Sequence, residues 1–263
     1  MAQKIPSRRR ERTNSSIVAS SCLKQIKPKT KNQNKYLNDL LNPDFPIVFG
    51  TGPAGTGKTL LATYAAIKSL YDGSVDRIVI TRPIVEAGES LGFLPGSLED
   101  KIDPYLRPIY DSLKILLTHD KIRELRDSFK LEVSPIAYMR GRSLTNAYVI
   151  LDEAQNATIP QVKMVLTRLG HDTQIALTGD CSQSDLPTQL AVTNGLKYWS
   201  NLLDTEPYVK VVQLTHADNQ RRKEVSLLLE KYENSLSSMR NRTLSESVRA
   251  IYTPEDNSWT AGK

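Results

Sequence analysis

An α/β fold, with a doubly wound and mostly parallel sheet flanked by helices, is predicted by the rhythm of the chain. Short apolar runs alternate with helical stretches between residues 46 and 214. One run, Ala147-Tyr148-Val149-Ile150-Leu151, is apolar almost throughout, as in a strand buried on both faces. Another, Ile47-Val48-Phe49, leads through a glycine-rich turn straight into a helical stretch.

Taken in order, the pattern places a helix over 32–41, with Tyr36, Leu37, Leu40 and Leu41 on one face and Asn42-Pro43-Asp44 as its stop. A strand over 46–49 precedes the glycine turn, and a helix then runs to about Tyr71, closed by Asp72-Gly73. Residues 77–81 read as a second buried strand and 84–96, with three glycines, as a loop. A long helix over 98–117 is expected to break or kink at Pro104 and Pro108. A short helix over 121–128, a strand over 131–135 and a loop over 137–143 lead to the strand at 147–151. A helix over 160–169 is expected to end at Gly170 as its C-cap. Strands over 174–178 and 209–214 enclose a helix over 195–203. A last helix over 218–235 would turn Val225, Leu228, Leu229 and Tyr232 inward.

The turn Gly52-Pro53-Ala54-Gly55-Thr56-Gly57-Lys58-Thr59 has the spacing of a P-loop, between a strand and a helix. Its glycines allow positive φ and let backbone N–H groups approach phosphate oxygens. Lys58 adds a point charge at the outer phosphates, the Thr59 hydroxyl is placed to hold Mg²⁺, and the helix that follows points its positive end at the same anion. The chain is therefore expected to bind a nucleoside triphosphate through residues 52–59.

Two further strand ends carry polar groups. Asp152-Glu153 follows the apolar strand at 147–151, a Walker B arrangement, and that strand is expected to lie beside the P-loop strand. Asp152 would hold Mg²⁺ through water, and Glu153 would deprotonate the attacking water. Alone, such a pair would equally serve as an acidic N-cap. Leu177-Thr178-Gly179-Asp180 ends a third strand; Gln183, supported by Asp180, is the expected sensor of the γ-phosphate. A strand-ending turn explains the same residues. Arg82, Arg140, Arg142, Arg221 and Arg222 are candidates for the cation that phosphoryl transfer needs, and spacing does not choose among them.

Charge is unevenly placed. Residues 1–31 carry nine Lys/Arg against one acid, Glu11, a local +8 within a chain total of +6, which leaves −2 for residues 32–263. A basic, Ser-rich arm over 1–28 is thus expected to be disordered; it suits a polyanion such as nucleic acid or is a solvated leader. Residues 29–235 form the expected domain, and 236–263 a polar tail. Cys22 and Cys181 give no disulfide framework, which favours a reducing compartment. No apolar run is long enough to span a membrane, and the basic N-terminus lacks an apolar h-region, so a cytoplasmic protein is expected.

Together these segments resemble the PhoH-like ATPases. The likeness lies in Pro28-Lys29-Thr30 with Gln33 and Tyr36, in GPAGTGKTLLA at 52–62 and TRPIVEAGESLGFLPG at 81–96, and in DPYLRPIYDSL at 103–113. It continues through VSPIAYMRGRSL at 133–144, VILDEAQNAT at 149–158, VKMVLTRLG at 162–170 and LTGDCSQSDLP at 177–187. The resemblance implies a single RecA-like core similar to the first motor domain of superfamily 1 helicases. It also implies that Gln33 reads the adenine edge, that the Arg82 segment touches single-stranded RNA or DNA, and that Arg221 is the family's arginine. Here Asp218-Asn219-Gln220-Arg221-Arg222 departs from the usual Asp-Val-Val-Arg-His pattern. The chain has length for one motor domain only and for no PIN-type nuclease, so a neighbouring subunit is expected to complete the site. A ring-like homo-oligomer, a hexamer by the family resemblance, would provide it.

Three functions remain open at this stage. The first is ATP hydrolysis, with Mg²⁺, coupled to binding or remodelling a single strand. The second is a nucleotide-dependent timer that grips a protein partner. The third is a small-molecule kinase, against which the water-directed Asp-Glu pair argues.

Overall fold

Six parallel strands form one sheet in the order β3-β2-β4-β5-β1-β6, where β1 is Ile47–Thr51, β2 Arg77–Arg82, β3 Leu131–Pro135, β4 Ala147–Leu151, β5 Gln174–Gly179 and β6 Val209–Gln213. The structure is a computed structural model that describes residues 22–84, 98–183 and 194–222, with 224, 225, 227, 228, 231 and 235. Residues 1–21 of the expected arm, nearly all of the 84–96 loop and the tail from 236 lie outside the described residues.

Both faces of the sheet are covered, which is why its strands read as unbroken apolar runs. Alternate residues of β4 go to opposite sides: Tyr148 and Ile150 join one buried cluster, Val149 and Leu151 the other. The first cluster is sealed by α1 (Lys31–Leu41), α2 (Lys58–Tyr71), α3 (Leu98–Leu116) and α4 (His119–Asp127). The second is sealed by α5 (Ile159–Leu166) and α6 (Gly195–Leu203). This is the doubly wound, RecA-like arrangement that the sequence predicts.

Helix starts follow local chemistry. Thr30, Thr118, Thr158 and Asn194 each accept a backbone N–H of the first turn, and Thr158 with Gln161 closes a capping box. In α3, Pro104 and Pro108 sit inside one continuous helix rather than ending it. Gly170 is not a C-cap, because α5 ends at Leu166 with Thr167 as its C-cap. It instead lets the chain press against Leu144, whose carbonyl takes the Gly170 N–H at 2.7 Å; a Cβ there would meet Thr145 Cγ2 at 2.6 Å. Gly50, in β1, lies under the buried Tyr36 ring of α1; a Cβ at Gly50 would stand 2.4 Å from that ring.

Two expectations of order change. Residues 22–28, assigned to the loose arm, include Leu23 buried in the first cluster, while Lys24 N–H donates to Leu116 and Gln25 accepts from the Tyr64 hydroxyl. The P-loop strand β1 is not the neighbour of β4: β5 lies between them, paired with both. The chain divides into two compact units, Met1–Asn219 and Gln220–Lys263. The first holds the sheet. In the second the helix begins after Arg222, not at Asp218, and Val225 and Leu228 are exposed, while Leu229 and Tyr232 lie outside the described residues.

Candidate active site

The glycine turn grows out of β1 under tight constraint. Gly52 has φ +135°, and a Cβ there would fall 2.1 Å from the Leu214 carbonyl oxygen, so only glycine fits. Its N–H donates to Gly179 at the end of β5, while Leu214 N–H donates to Thr51. Gly57, at φ +85°, is the N-cap of α2, whose first turn opens on the loop. Lys58 is almost wholly buried, its ammonium donating to the Gly52 and Pro53 carbonyls at 2.6 and 2.8 Å. Thr56 Oγ1 donates to the Pro53 carbonyl.

Insertion of β5 brings a third element to the centre. The Asp152 carboxylate, at the end of β4, accepts on one oxygen from Thr59 Oγ1 at 2.7 Å and from Thr178 Oγ1 at 2.6 Å. The P-loop and the acidic strand end therefore meet as expected, across β5 rather than side by side. One hydroxyl and one carboxylate suit Mg²⁺, which keeps several of its own waters. Among the described residues no three His, Cys, Asp or Glu side chains gather as a metal cage.

Glu153 follows in a left-handed conformation, φ 50° and ψ 41°, uncommon for a residue with a side chain. Its two oxygens have different partners. Gln155 Nε2 donates to Oε2 at 2.6 Å, and the Arg82 guanidinium stands 3.8 Å from Oε1. Gln155 is buried, and its own oxygen accepts the Asp180 N–H at 3.2 Å. Gly179 makes room for it, since a Cβ there would lie 2.2 Å from Gln155 Oε1.

Asp180 accepts from the Ser182 N–H and hydroxyl on one oxygen, and its carbonyl takes the Gln183 N–H. Gln183 is exposed at the end of that turn. Burial, with Asp180 adding to it, pushes the Cys181 thiol up. Gln33 lies beneath the P-loop: Nε2 donates to the carbonyls of Thr56 and Asp218, and Oε1 accepts the Lys29 N–H. The Asp218 side-chain carboxylate in turn accepts from Thr30, Asn32 and Thr215. Burial pushes that carboxyl up, yet the hydrogen bonds from Asn32, Thr30 and Thr215 outweigh it and hold it below the usual range. Arg142 is spoken for, since its guanidinium forks onto Glu132 at 2.5 and 2.7 Å. Arg140 is exposed, and Arg221 and Arg222 belong to the second unit.

Thr178, Gln155 and Asp218 were given no role by the sequence. Only Thr178 left a signal, a hydroxyl at a strand end where apolar residues otherwise run, and it needed the strand order to be read.

The family profile described as PhoH-like protein matches residues 25–233. The chain belongs to the PhoH-like family. A PhoH-like protein of Bacillus subtilis is 47% identical over 210 residues, covering 80% of this chain and 65% of the relative. One from Mycobacterium tuberculosis is 47% identical over 209 residues, covering 80% and 58%. Protein PhoH of Escherichia coli K12 is 42% identical over 182 residues, covering 65% and 49%. This PhoH-like chain thus spans between about half and two thirds of those relatives' length. Among solved structures, a Sulfolobus solfataricus SWI2/SNF2 ATPase core in complex with double-stranded DNA superposes with TM-score 0.43 at 16% identity, over 73% of this chain and 47% of that one. The Pyrococcus furiosus Hef helicase domain does so with TM-score 0.40 at 14% identity, over 69% and 37%. The PhoH-like core is a P-loop NTPase fold, and no described helix is long and apolar enough to cross a membrane.

Proposed function

We propose that this PhoH-like chain hydrolyses ATP with Mg²⁺ and couples the turnover to binding or remodelling single-stranded RNA or DNA. The observation that carries the reading is the meeting of Thr59 and Thr178 on one oxygen of Asp152, directly beside the P-loop and followed by Glu153. Thr59 and Asp152 would hold Mg²⁺, which when bound offsets charge on the phosphates. The backbone N–H groups of 52–59 cradle the phosphates, and the Lys58 ammonium leaves the loop carbonyls for phosphate oxygens. Glu153 takes the proton of the attacking water.

Further roles follow from the family likeness for Gln33 and Arg221, and from the strand-end residues and the charge pattern for Gln183 and the arm. Gln33 reads the adenine edge by exchanging part of its present bonding for the base. Gln183 senses the γ-phosphate, with Asp180 shaping its turn. Arg221 supplies positive charge to the transferring phosphoryl group, either to its own site or to that of a neighbour in a homo-oligomeric ring. The basic arm adds non-specific grip on a polyanion. A cytoplasmic setting suits both the chemistry and a chain whose two cysteines give no disulfide framework.

The test is the ATP turnover rate with and without single-stranded RNA or DNA, in Mg²⁺ and in excess chelator, on material of measured oligomeric state. Turnover that needs Mg²⁺ and rises with a single strand supports the reading. Turnover indifferent to both polymers, with ATP-dependent capture of a protein instead, transfers the case to a timer.

A further inference from the structure

The carboxyl ends of β2 and β3 carry a group of side chains that meets the nucleotide site only at Arg82. Arg82 ends β2 opposite Pro135, the last residue of β3. The chain leaves Pro135 through the 3₁₀ turn Ile136–Met139, where Tyr138 stands 49% exposed, and reaches the exposed Arg140. A half-exposed aromatic ring in the turn after β3, with Arg140 two residues on and Arg82 at the end of the neighbouring strand, has the composition of a single-strand contact, where bases stack and guanidinium groups take phosphates. The ring is not needed for the core: Ile136 and Met139 are the residues of that turn that go inside. Arg142, the other arginine of this segment, is committed to Glu132 and is no part of the surface.

Arg82 belongs to both surfaces. Its guanidinium stands at 3.8 Å from Glu153 Oε1, beyond hydrogen-bond reach and with both side chains partly open to solvent, 21% and 38% exposed. Such a pair is weak and easily exchanged for a phosphate. The opposite oxygen of Glu153 is held differently. Its donor, Gln155, is buried, and its own oxygen accepts the Asp180 N–H.

We propose that Tyr138, Arg140 and Arg82 form a contact face for single-stranded nucleic acid, and that a backbone phosphate drawing Arg82 off Glu153 couples the strand to hydrolysis. Gln155 then orients Glu153 through Oε2, while Oε1 is released to accept the proton of water. Gln155 is a positioning residue, and Arg82 is a removable cap. This rests on the reading of Glu153 as the base.

The experiment measures steady-state ATP turnover of the full chain against oligo(U) and oligo(dT) concentration, for wild type, Arg82→Ala, Arg82→Gln, Tyr138→Ala and Gln155→Ala, with Glu153→Gln alongside. Both Arg82 variants should raise turnover without polymer by about two- to fivefold, the range of one loose ion pair, and lose most of the stimulation. Tyr138→Ala should raise the oligonucleotide concentration for half-maximal stimulation by about five- to a hundredfold. Gln155→Ala should lower turnover at every polymer concentration and leave that midpoint in place. Polymer-free turnover in both Arg82 variants at or below the wild-type level, with stimulation intact, overturns the cap. An unmoved midpoint in Tyr138→Ala overturns the contact face. If Glu153→Gln turns over normally, the underlying reading of the base has failed instead, a result separable from either.

Discussion

At the scale of single residues, the site divides what was visible in the chain from what only folding reveals. Lys58 and the Asp152-Glu153 pair announce themselves, because a lysine after a glycine turn and acids after an apolar run have few other uses together. The partners that set their geometry do not. Thr178 and Gln155 are ordinary polar residues near strand ends, equally suited to caps and turns, and they gain meaning only when β5 is placed between β1 and β4. Removing the charge of Lys58 with Lys58→Ala is expected to lower nucleotide binding and turnover together, read by nucleotide titration and phosphate release. Glu153→Gln keeps the size and the Gln155 contact but cannot take a proton. It should bind nucleotide normally and lose about 10²–10⁴ of the turnover, the usual contribution of a general base. Normal turnover in that variant would show that another group activates the water.

Among the elements, β3 is the most instructive. It is an edge strand, and it carries Glu132 in a two-pronged contact with Arg142. The hydrogen bond from Arg142, followed by its charge and a bond from Ser134, outweighs burial and holds the Glu132 carboxyl below the usual range. A lowered folded value means the stabilisation is present above the ordinary glutamate value of about 4.3 and drains away as the pH falls through the folded one. With both side chains about a third exposed, the pair contributes about 1 kcal/mol or less. Melting temperatures from pH 7 to pH 3 should therefore fall more steeply for wild type than for Glu132→Gln, and parallel curves would show that the pair is inert. Strands and helices were legible because their apolar periods are local. Their order in the sheet was not, since it is decided by contacts across more than a hundred residues, such as Gly52 N–H to Gly179. Gly170 misled for a related reason: a glycine after a helix also serves close packing.

For the whole molecule, the packing of Leu23, Lys24 and Gln25 redraws the limit of the basic arm. Deleting residues 1–21 is the informative truncation, because removing 22–28 as well would strip a core side chain. That deletion is expected to weaken nucleic-acid binding and flatten its salt dependence while sparing turnover without polymer; unchanged binding would make the arm a passive leader. The contact between α1 and β1 has a different kind of consequence. The Tyr36 ring occupies the space that any side chain at position 50 would need, so the two positions cannot drift independently. Across related chains they are expected to covary, with an alanine or serine at 50 accompanied by a smaller residue at 36. Such a pairing would let the register between the first helix and the P-loop strand be recognised from sequences alone, even where the glycine turn itself has decayed.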